Sequence, residues 1–271
     1  MSRLDAYLAR IGYVGPVRVD RETLFALHRA HLLAIPYENL DIHLGRRLTL
    51  DVDAIFDKLV TRRRGGWCYE MNGLFAWALR EIGFDVTLLA GTVGRAQHGA
   101  AAEGNHLLMR IALERDYVAD VGFGNGFIEP LPLVEGDVTQ LGFLKFGLRR
   151  DRELWVVTND GTGGPGFDFP LTAAHLDQFA AQCHALQTDP ASGFVRITVC
   201  HRLASDAIHS LRGAVLQTLR MDGLSALTLE TLPDYRRALE DVFDLRLPEV
   251  DTLWAKVWAA HRAWQDSQPK S

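Results

Sequence analysis

The spacing of hydrophobic side chains changes along the chain, and the predicted secondary structure changes with it. In the first third, apolar residues recur three and four positions apart, which is typical of amphipathic helices. Ser2, Asp20 and Asp51 stand before such segments and are residue types that cap helix N-termini. The pattern therefore predicts helices at residues 3–10, 21–33 and 52–60.

A fourth helix is predicted directly after the segment Arg64–Cys68, which contains two consecutive glycines. Apolar residues from Met71 to Ile82 recur at helical spacing, and Gly83 is suited to end the helix in a left-handed conformation. Cys68 therefore lies at or just before the first turn of a helix.

The middle of the chain reads as strands separated by glycine-rich turns, at residues 122–126 and 161–166. The predicted strands are residues 86–94, 106–113, 117–123, 143–148 and 154–158. A helix at 172–186, strands at 194–203, 215–221 and 226–232, and helices at 233–243 and 248–264 follow, with a frayed tail at 265–271. Clustered helices followed by clustered strands predict an α+β fold.

Composition narrows the class of protein. The chain has 271 residues, a formal net charge of −5 and three cysteines. This charge does not favour nucleic-acid binding, and three cysteines do not make a disulfide framework. No apolar run approaches the ~20 residues of a membrane span, and no signal peptide is visible, so we expect a soluble cytoplasmic protein.

Cys68 is the strongest candidate nucleophile. The glycines before it allow a sharp turn, and a helix N-terminus stabilises a thiolate. Cys183 instead falls on the apolar stripe of a predicted helix and is expected in the core. Cys200 lies on a predicted strand and receives no role.

A cysteine nucleophile needs a nearby base and a group that orients the base. His106 opens a predicted strand after a loop, and Asp120 is the carboxylate of the otherwise apolar next strand. A tight hairpin between these strands would pair Asp120 with Met109 or Arg110, roughly 13 Å along the strand from His106. From spacing alone, this triad is therefore a hypothesis, with Asp116 as the alternative carboxylate.

Four segments together resemble the arylamine N-acetyltransferase family. They are Ile35–Leu40, Arg64–Asn72, Asn105–Leu108 and Asp120–Gly124, and they occur in the family's order at compatible separations. The last third of the chain matches only in length and layout. One departure is Tyr37, where phenylalanine is common in the family.

The resemblance implies a papain-like triad of Cys68, His106 and Asp120. It also implies an α+β architecture with a helical N-terminal region (1–83), a β-barrel region with a following helix (84–190) and an α/β lid (191–271). The implied reaction is acetyl transfer from acetyl-CoA, the co-substrate, to arylamines, arylhydrazines or arylhydroxylamines. A covalent acetyl-Cys68 and ping-pong kinetics would follow, with no bound cofactor or metal.

Further residues are candidates for contacts with the amine or CoA. The glycine-rich turn could approach CoA with its backbone N–H groups, and the aromatic side chains could stack on an aromatic amine or pack in the core. Asn72 falls one helical turn after Cys68, on the same face. The candidate set is Tyr37, Asn72, Phe123, Gly124, Gly126 and Phe127.

Two other functions stay open at this point. A papain-like or transglutaminase-like enzyme acting on peptide or glutamine substrates would use the same order of cysteine, histidine and aspartate. A zinc-binding module is the non-enzymatic alternative, although no CxxC pair or clustered histidines favour it. The sequence does not fix the assembly, and a homodimer is among the open states.

Overall fold

The structure is a computed structural model that describes residues 1–159 and 166–268. The predicted glycine-rich turn at 161–166, apart from Gly166, and the last three residues of the predicted frayed tail lie outside the described residues. Within these ranges the helices are α1 Arg3–Arg10, α2 Arg21–Ala34, α3 Leu40–His43, α4 Val52–Phe56, α5 Cys68–Ile82, α6 Arg95–His98, α7 Ala180–Thr188, α8 Gly193–Arg196, α9 Leu232–Arg237 and α10 Val250–Ser267. Shorter 3₁₀ or π turns are Asp57–Thr61, Gly99–Ala102, Leu176–Phe179 and Ala238–Val242.

The strands form two antiparallel sheets. They are β1 Tyr37–Glu38, β2 Asp85–Val93, β3 His106–Ala112, β4 Asp116–Ala119, β5 Leu131–Pro132, β6 Gly136–Gln140, β7 Leu144–Asp151, β8 Leu154–Asn159, β9 Phe167–Pro170, β10 Ala173–Ala174, β11 Val199–Leu203, β12 Ile208–Arg212, β13 Val215–Arg220 and β14 Gly223–Thr228. The larger sheet has the order β5-β4-β3-β2-β9-β8-β7-β6, with β10 on β2, and closes into a nearly complete barrel. The α+β class with a central barrel is thereby confirmed.

The N-terminal helices begin and end where the sequence signals predict. Ser2 and Asp5 form a reciprocal capping box at the start of α1, and the Asp20 side chain accepts a hydrogen bond from the Thr23 N–H at the start of α2. Gly83 ends α5 with φ of +107°, in the left-handed region that glycine adopts without a steric penalty. Gly83 thereby fixes the C-terminal end of the helix that carries Cys68.

The smaller sheet has the order β1-β11-β12-β13-β14, so its first strand comes from the helical N-terminal region. One face of this sheet packs on α9 and α10 through a core that includes Cys200, Leu211 and Leu253. The other face reaches the barrel core through Leu203 and Ile208. A third core joins the N-terminal helices to β2 and β3, and Cys68 lies in it.

Several predicted elements differ from the structure. The helix predicted at 172–186 begins only with the turn at Leu176, because Ala173 and Ala174 pair with Leu89 and Leu88 of β2. Tertiary pairing here overrides the local preference for helix. The strand predicted from residue 194 begins at Val199, since residues 193–196 form α8, and β12 was missed entirely.

None of the described helices combines the length and the apolar character that crossing a membrane requires.

Candidate active site

Cys68 is the first residue of α5 and is almost completely buried, with 3% of its surface exposed. Its Sγ lies 4.0 Å from the carbonyl oxygen of Asn105, the residue before β3. The Asn105 side chain is in turn held at both ends by the backbone of Val93, with hydrogen bonds of 2.8 and 2.9 Å. The start of α5 therefore meets the start of β3 at the thiol.

Gly122 makes the closest approach to the nucleophile. A Cβ atom at this position would lie 2.8 Å from both the Cα and the carbonyl oxygen of Cys68 and 2.6 Å from Nδ2 of Asn72. Any side chain here would push the 120–126 segment away from α5. The turn that sequence analysis assigned to CoA therefore also has a packing role against Cys68.

His106 and Asp120 lie in direct contact, with 2.7 Å between Nε2 and Oδ2. The β3–β4 register pairs Met109 with Ala119, and continuing it by one residue sets Asp120 level with Leu108. The two side chains are thus diagonal neighbours on one face of the sheet, within reach of each other. The expected hairpin register was wrong by one or two residues, and this error created the apparent gap.

The Asp120 carboxylate has further hydrogen bonds. Its Oδ1 accepts from Asn72 Nδ2 at 2.8 Å and from the Gly122 N–H at 2.8 Å. Burial alone would raise the pKa of Asp120, but the nearby His106 and these donors outweigh it and hold the pKa below its usual value. The carboxylate therefore stays ionised while fully enclosed.

The thiol of Cys68 is in a different electrostatic state. Burial raises its pKa, and the negative charge of Asp120 adds to the effect, while the backbone N–H groups of Leu107 and Tyr69 act in the opposite direction. Burial therefore opposes the stabilisation of a thiolate that the helix N-terminus was expected to provide. A thiolate at this position needs an adjacent imidazolium as its counter-charge.

A buried network of charges holds the loop that precedes Cys68. Lys58 Nζ lies 2.9 Å from Glu70 and 3.0 Å from Asp41, while the Arg64 guanidinium lies 2.6 Å from Glu38 and 3.1 Å from Asp41. At most 7% of each of these five side chains is exposed. Three carboxylates therefore face two buried cations, with the half-exposed Arg46 as a third cation on Asp41.

One member of this ion network caps the helix that begins with the nucleophile. Glu70 accepts from the N–H of Trp67 at 3.2 Å, which caps the first turn of α5. Burial would raise the pKa of Asp41, but Lys58 and Arg64 outweigh it and lower that pKa to about 2. The same carboxylates outweigh the burial of Lys58 and raise its pKa. Burial raises the pKa of Glu70, although Lys58 acts in the opposite direction. The contacts within the network therefore favour the charged forms of Asp41 and Lys58 most clearly.

Of the predicted substrate contacts, Phe123 packs on His106, whereas Tyr37 and Gly124 lie against His201. The Phe123 ring is half-buried and lies edge-on to the His106 ring, with centroids 5.3 Å apart. Tyr37 is 8% exposed and packs on the ring of His201 at 5.8 Å. Gly124 has φ of +83°, and a Cβ atom there would lie 2.7 Å from the His201 ring. Phe123 and Gly124 thus connect the triad residues to the smaller sheet.

The other three candidates are packed more closely. Phe127 is 1% exposed in the barrel core, which is the core-packing alternative for the aromatic residues. Asn72 is fully buried, and its amide bonds Asp120, the Leu107 carbonyl and the Val121 N–H, so it hydrogen-bonds within the site and holds the Asp120 carboxylate. Gly126 is half-buried against Phe123, where a Cβ atom would lie 2.9 Å from the Phe123 Cβ.

Three buried polar residues that support the site, Lys58, Glu38 and His28, were not predicted from the sequence. Lys58 falls between the apolar positions of the helical pattern at 52–60, and Glu38 stands between Tyr37 and Asn39, so neither has a distinctive local context. His28 looked like one of ten histidines without context. Their signal is burial of a charged or polar group, which becomes visible only when the tertiary contacts are known.

The two cysteines outside the triad are buried and free. Cys183 is buried in the same core as Cys68, as predicted, and Cys200 is buried beneath α9 and α10. Across residues 1–159 and 166–268, no three His, Cys, Asp or Glu side chains are grouped so as to hold a metal ion.

Comparisons of the sequence and of the structure with known proteins both find N-acetyltransferases. A family model described as N-acetyltransferase matches residues 20–252. Human arylamine N-acetyltransferase 1 is 31% identical, over 90% of this chain and 94% of its own length. The Nocardia farcinica arylamine N-acetyltransferase structure is 37% identical with a TM-score of 0.83, covering 94% of each chain. The Mycobacterium marinum enzyme in complex with CoA has a TM-score of 0.87 at 29% identity, covering 95% of this chain and 99% of that one.

Proposed function

Because the chain belongs to the arylamine N-acetyltransferase family, we propose that it transfers an acetyl group from acetyl-CoA to the nitrogen or oxygen of arylamines, arylhydrazines and arylhydroxylamines, through an acetyl-Cys68 intermediate. The observation that carries the proposal is the enclosed Asp120 carboxylate at 2.7 Å from His106 Nε2, with the Cys68 thiol at the start of α5 lying 4.0 Å from the carbonyl oxygen of the residue before His106. This is the arrangement of nucleophile, base and orienting carboxylate that covalent acyl transfer requires.

The first half-reaction forms the thioester. Cys68 gives its proton to His106, and the thiolate attacks the carbonyl carbon of acetyl-CoA. The bond from that carbon to the CoA sulfur breaks, and the CoA thiolate leaves with the proton from His106. Asp120 stabilises the imidazolium during this step, which matters because burial raises the pKa of the Cys68 thiol.

The second half-reaction consumes the thioester. The amine nitrogen attacks the acetyl carbon, His106 takes the proton that nitrogen loses, and the bond to the Cys68 sulfur breaks. Both tetrahedral intermediates carry a negative oxygen. We assign one donor for it to the Cys68 backbone N–H, since the first N–H groups of a helix have no intrahelical acceptor.

The substrates would enter between the barrel and the smaller sheet. Phe123 and Tyr37 offer aromatic surface beside His106 and His201, which suits a flat aromatic amine. The CoA complex of the M. marinum relative supports acetyl-CoA as the donor. The turn around Gly124 is the segment we assign to the donor, because its backbone can approach a ligand closely.

Intact mass spectrometry with acetyl-CoA alone tests the proposal. Wild-type protein should gain one acetyl group on Cys68 and release CoA in a burst before any amine is added, with ping-pong kinetics once amine is present. Cys68→Ser should show neither effect, whereas Cys183→Ala and Cys200→Ala should retain both. Failure of the wild type to acetylate, or turnover in Cys68→Ser, would overturn it. Cleavage of a peptide or glutamine substrate without acetylation would favour the papain-like or transglutaminase-like alternative.

A further inference from the structure

His28, in α2, joins the triad region to the N-terminal helices. Its side chain is completely buried, and its two ring nitrogens contact the backbone at both ends of residues 120–128. Nδ1 lies 2.7 Å from the carbonyl oxygen of Ile128, and Nε2 lies 3.1 Å from the backbone nitrogen of Asp120. The segment between these two contacts carries the orienting carboxylate and the glycine-rich turn.

The two partners fix the protonation state of the ring. A carbonyl oxygen only accepts, so Nδ1 must carry a proton, and a backbone N–H only donates, so Nε2 must not. Burial lowers the pKa of His28 to about 4, although the Ile128 carbonyl and Asp120 act in the opposite direction. His28 is therefore neutral near pH 7, in the Nδ1–H form.

The ring is held in one orientation by its aromatic neighbours. It stacks on Phe127 with centroids 5.8 Å apart and planes 11° apart, and the Phe75 ring meets it edge-on at 5.7 Å. Rotating the ring would therefore disturb the core on both sides. The buried ring of Phe127 thus packs directly on His28.

We propose that His28 is a positioning residue that fixes the main chain of Asp120, and thereby aims the Asp120 carboxylate at His106. The inference rests on the proposed function, because it assigns His28 to the triad of that reaction. The Asp120 side chain is held by Asn72, His106 and Gly122, whereas the Asp120 N–H is held by His28. The two sets of bonds together define where the carboxylate lies.

The effect of losing this contact is on rate rather than on binding. A displaced Asp120 stabilises the imidazolium less, and errors of about 1 Å in such groups lower rates by up to roughly 100-fold. The KM for acetyl-CoA should change less than about threefold, since His28 lies behind Asp120 and not in the proposed cleft.

The test compares three variants at a temperature where each is shown by circular dichroism to be folded. His28→Leu removes both hydrogen bonds, and His28→Gln keeps an acceptor and a donor on a chain of similar reach. His31→Leu is the matched control, because His31 is equally buried in the same helix but bonds Tyr7 instead. The readouts are the rate of Cys68 alkylation by iodoacetamide at pH 7 and the rate of its acetylation.

We expect His28→Leu to lose roughly 10- to 100-fold in both rates, His28→Gln to recover part of the loss, and His31→Leu to keep both rates. Wild-type rates in folded His28→Leu, or an equal loss in His31→Leu, would overturn the inference. If the wild type alkylates but never acetylates, the proposed function has failed, while the alkylation comparison still decides the role of His28.

A measurement on the wild type guards against variants that do not fold. Nitrogen-15 spectroscopy of labelled histidine should show His28 with a protonated Nδ1 and an unprotonated Nε2 at pH 7. An Nε2–H form or an imidazolium at that pH would contradict the inference, because neither can accept the Asp120 N–H.

Discussion

Replacing Lys58 by methionine should destabilise the protein strongly, although the residue lies outside the triad. Methionine keeps the length and apolar stem of the side chain but leaves Glu70 and Asp41 without the cation that lies 2.9 and 3.0 Å from them. Removing one partner of a buried ion pair typically costs about 3–5 kcal/mol, because the other charge stays buried and unpaired. That cost is a large part of a total stability that is usually about 5–15 kcal/mol.

Charge balance predicts which second change repairs the damage. Glu70→Gln removes one carboxylate from the network yet keeps an acceptor for the Trp67 N–H. The double variant Lys58→Met/Glu70→Gln should therefore lose less free energy of unfolding than the two single losses added together, by at least about 1–2 kcal/mol. Arg62→Met is the control, because Arg62 and Asp57 are each 55% exposed and such surface pairs contribute less than about 1 kcal/mol.

Urea unfolding followed by circular dichroism gives the free energies, provided that the dependence on urea is the same in all variants. The reasoning would be refuted by a loss below about 1 kcal/mol in Lys58→Met, or by single losses that simply add in the double variant. Either result would mean that water reaches the network or that the freed carboxylates take up protons without cost.

Two further expectations concern the triad and its closest neighbour. Asp120→Asn should keep the fold, and its rate of acetyl transfer should fall by a factor on the order of 10⁴, while Asp116→Asn should act nearly like wild type. Steady-state rates of both variants test this expectation. The reverse pattern would move the orienting role to Asp116. Gly122→Ala should lower the free energy of unfolding by about 1–3 kcal/mol and remove most of the activity, since its Cβ atom would lie 2.8 Å from backbone atoms of Cys68. Gly193→Ala, where a Cβ atom meets nothing within 4 Å, should stay within about 0.5 kcal/mol of wild type in the same urea assay, and equal losses in both variants would contradict the packing argument.

The sequence carries the local features of this fold well. Ser2, Asp20 and Gly83 fix helix ends through contacts made within a few residues, so they can be predicted from neighbouring residues alone. The same holds for Cys68 at the start of its helix, where the two preceding glycines and the following apolar stripe mark the position.

Long-range features could not be predicted in the same way. The β3–β4 register depends on where the connecting turn closes, and one or two residues of error separated His106 from Asp120 in the expected hairpin. Lys58 and His28 are polar residues whose partners come from distant segments, so their burial has no local signal. The residues that carry out the proposed chemistry could thus be found from the sequence, but most of those that hold them in place could not.

The short strand β1 has a consequence for the order in which the protein folds. Glu38 pairs through its backbone with Cys200, in the last third of the chain, and through its side chain with Arg64, just before the nucleophile. During synthesis the N-terminal segment is made first, yet its strand partner emerges only after most of the chain has been completed. Such distant pairing closes late and slowly. In a nascent chain, β1 would therefore gain its strand partner only after the last third of the chain has begun to emerge.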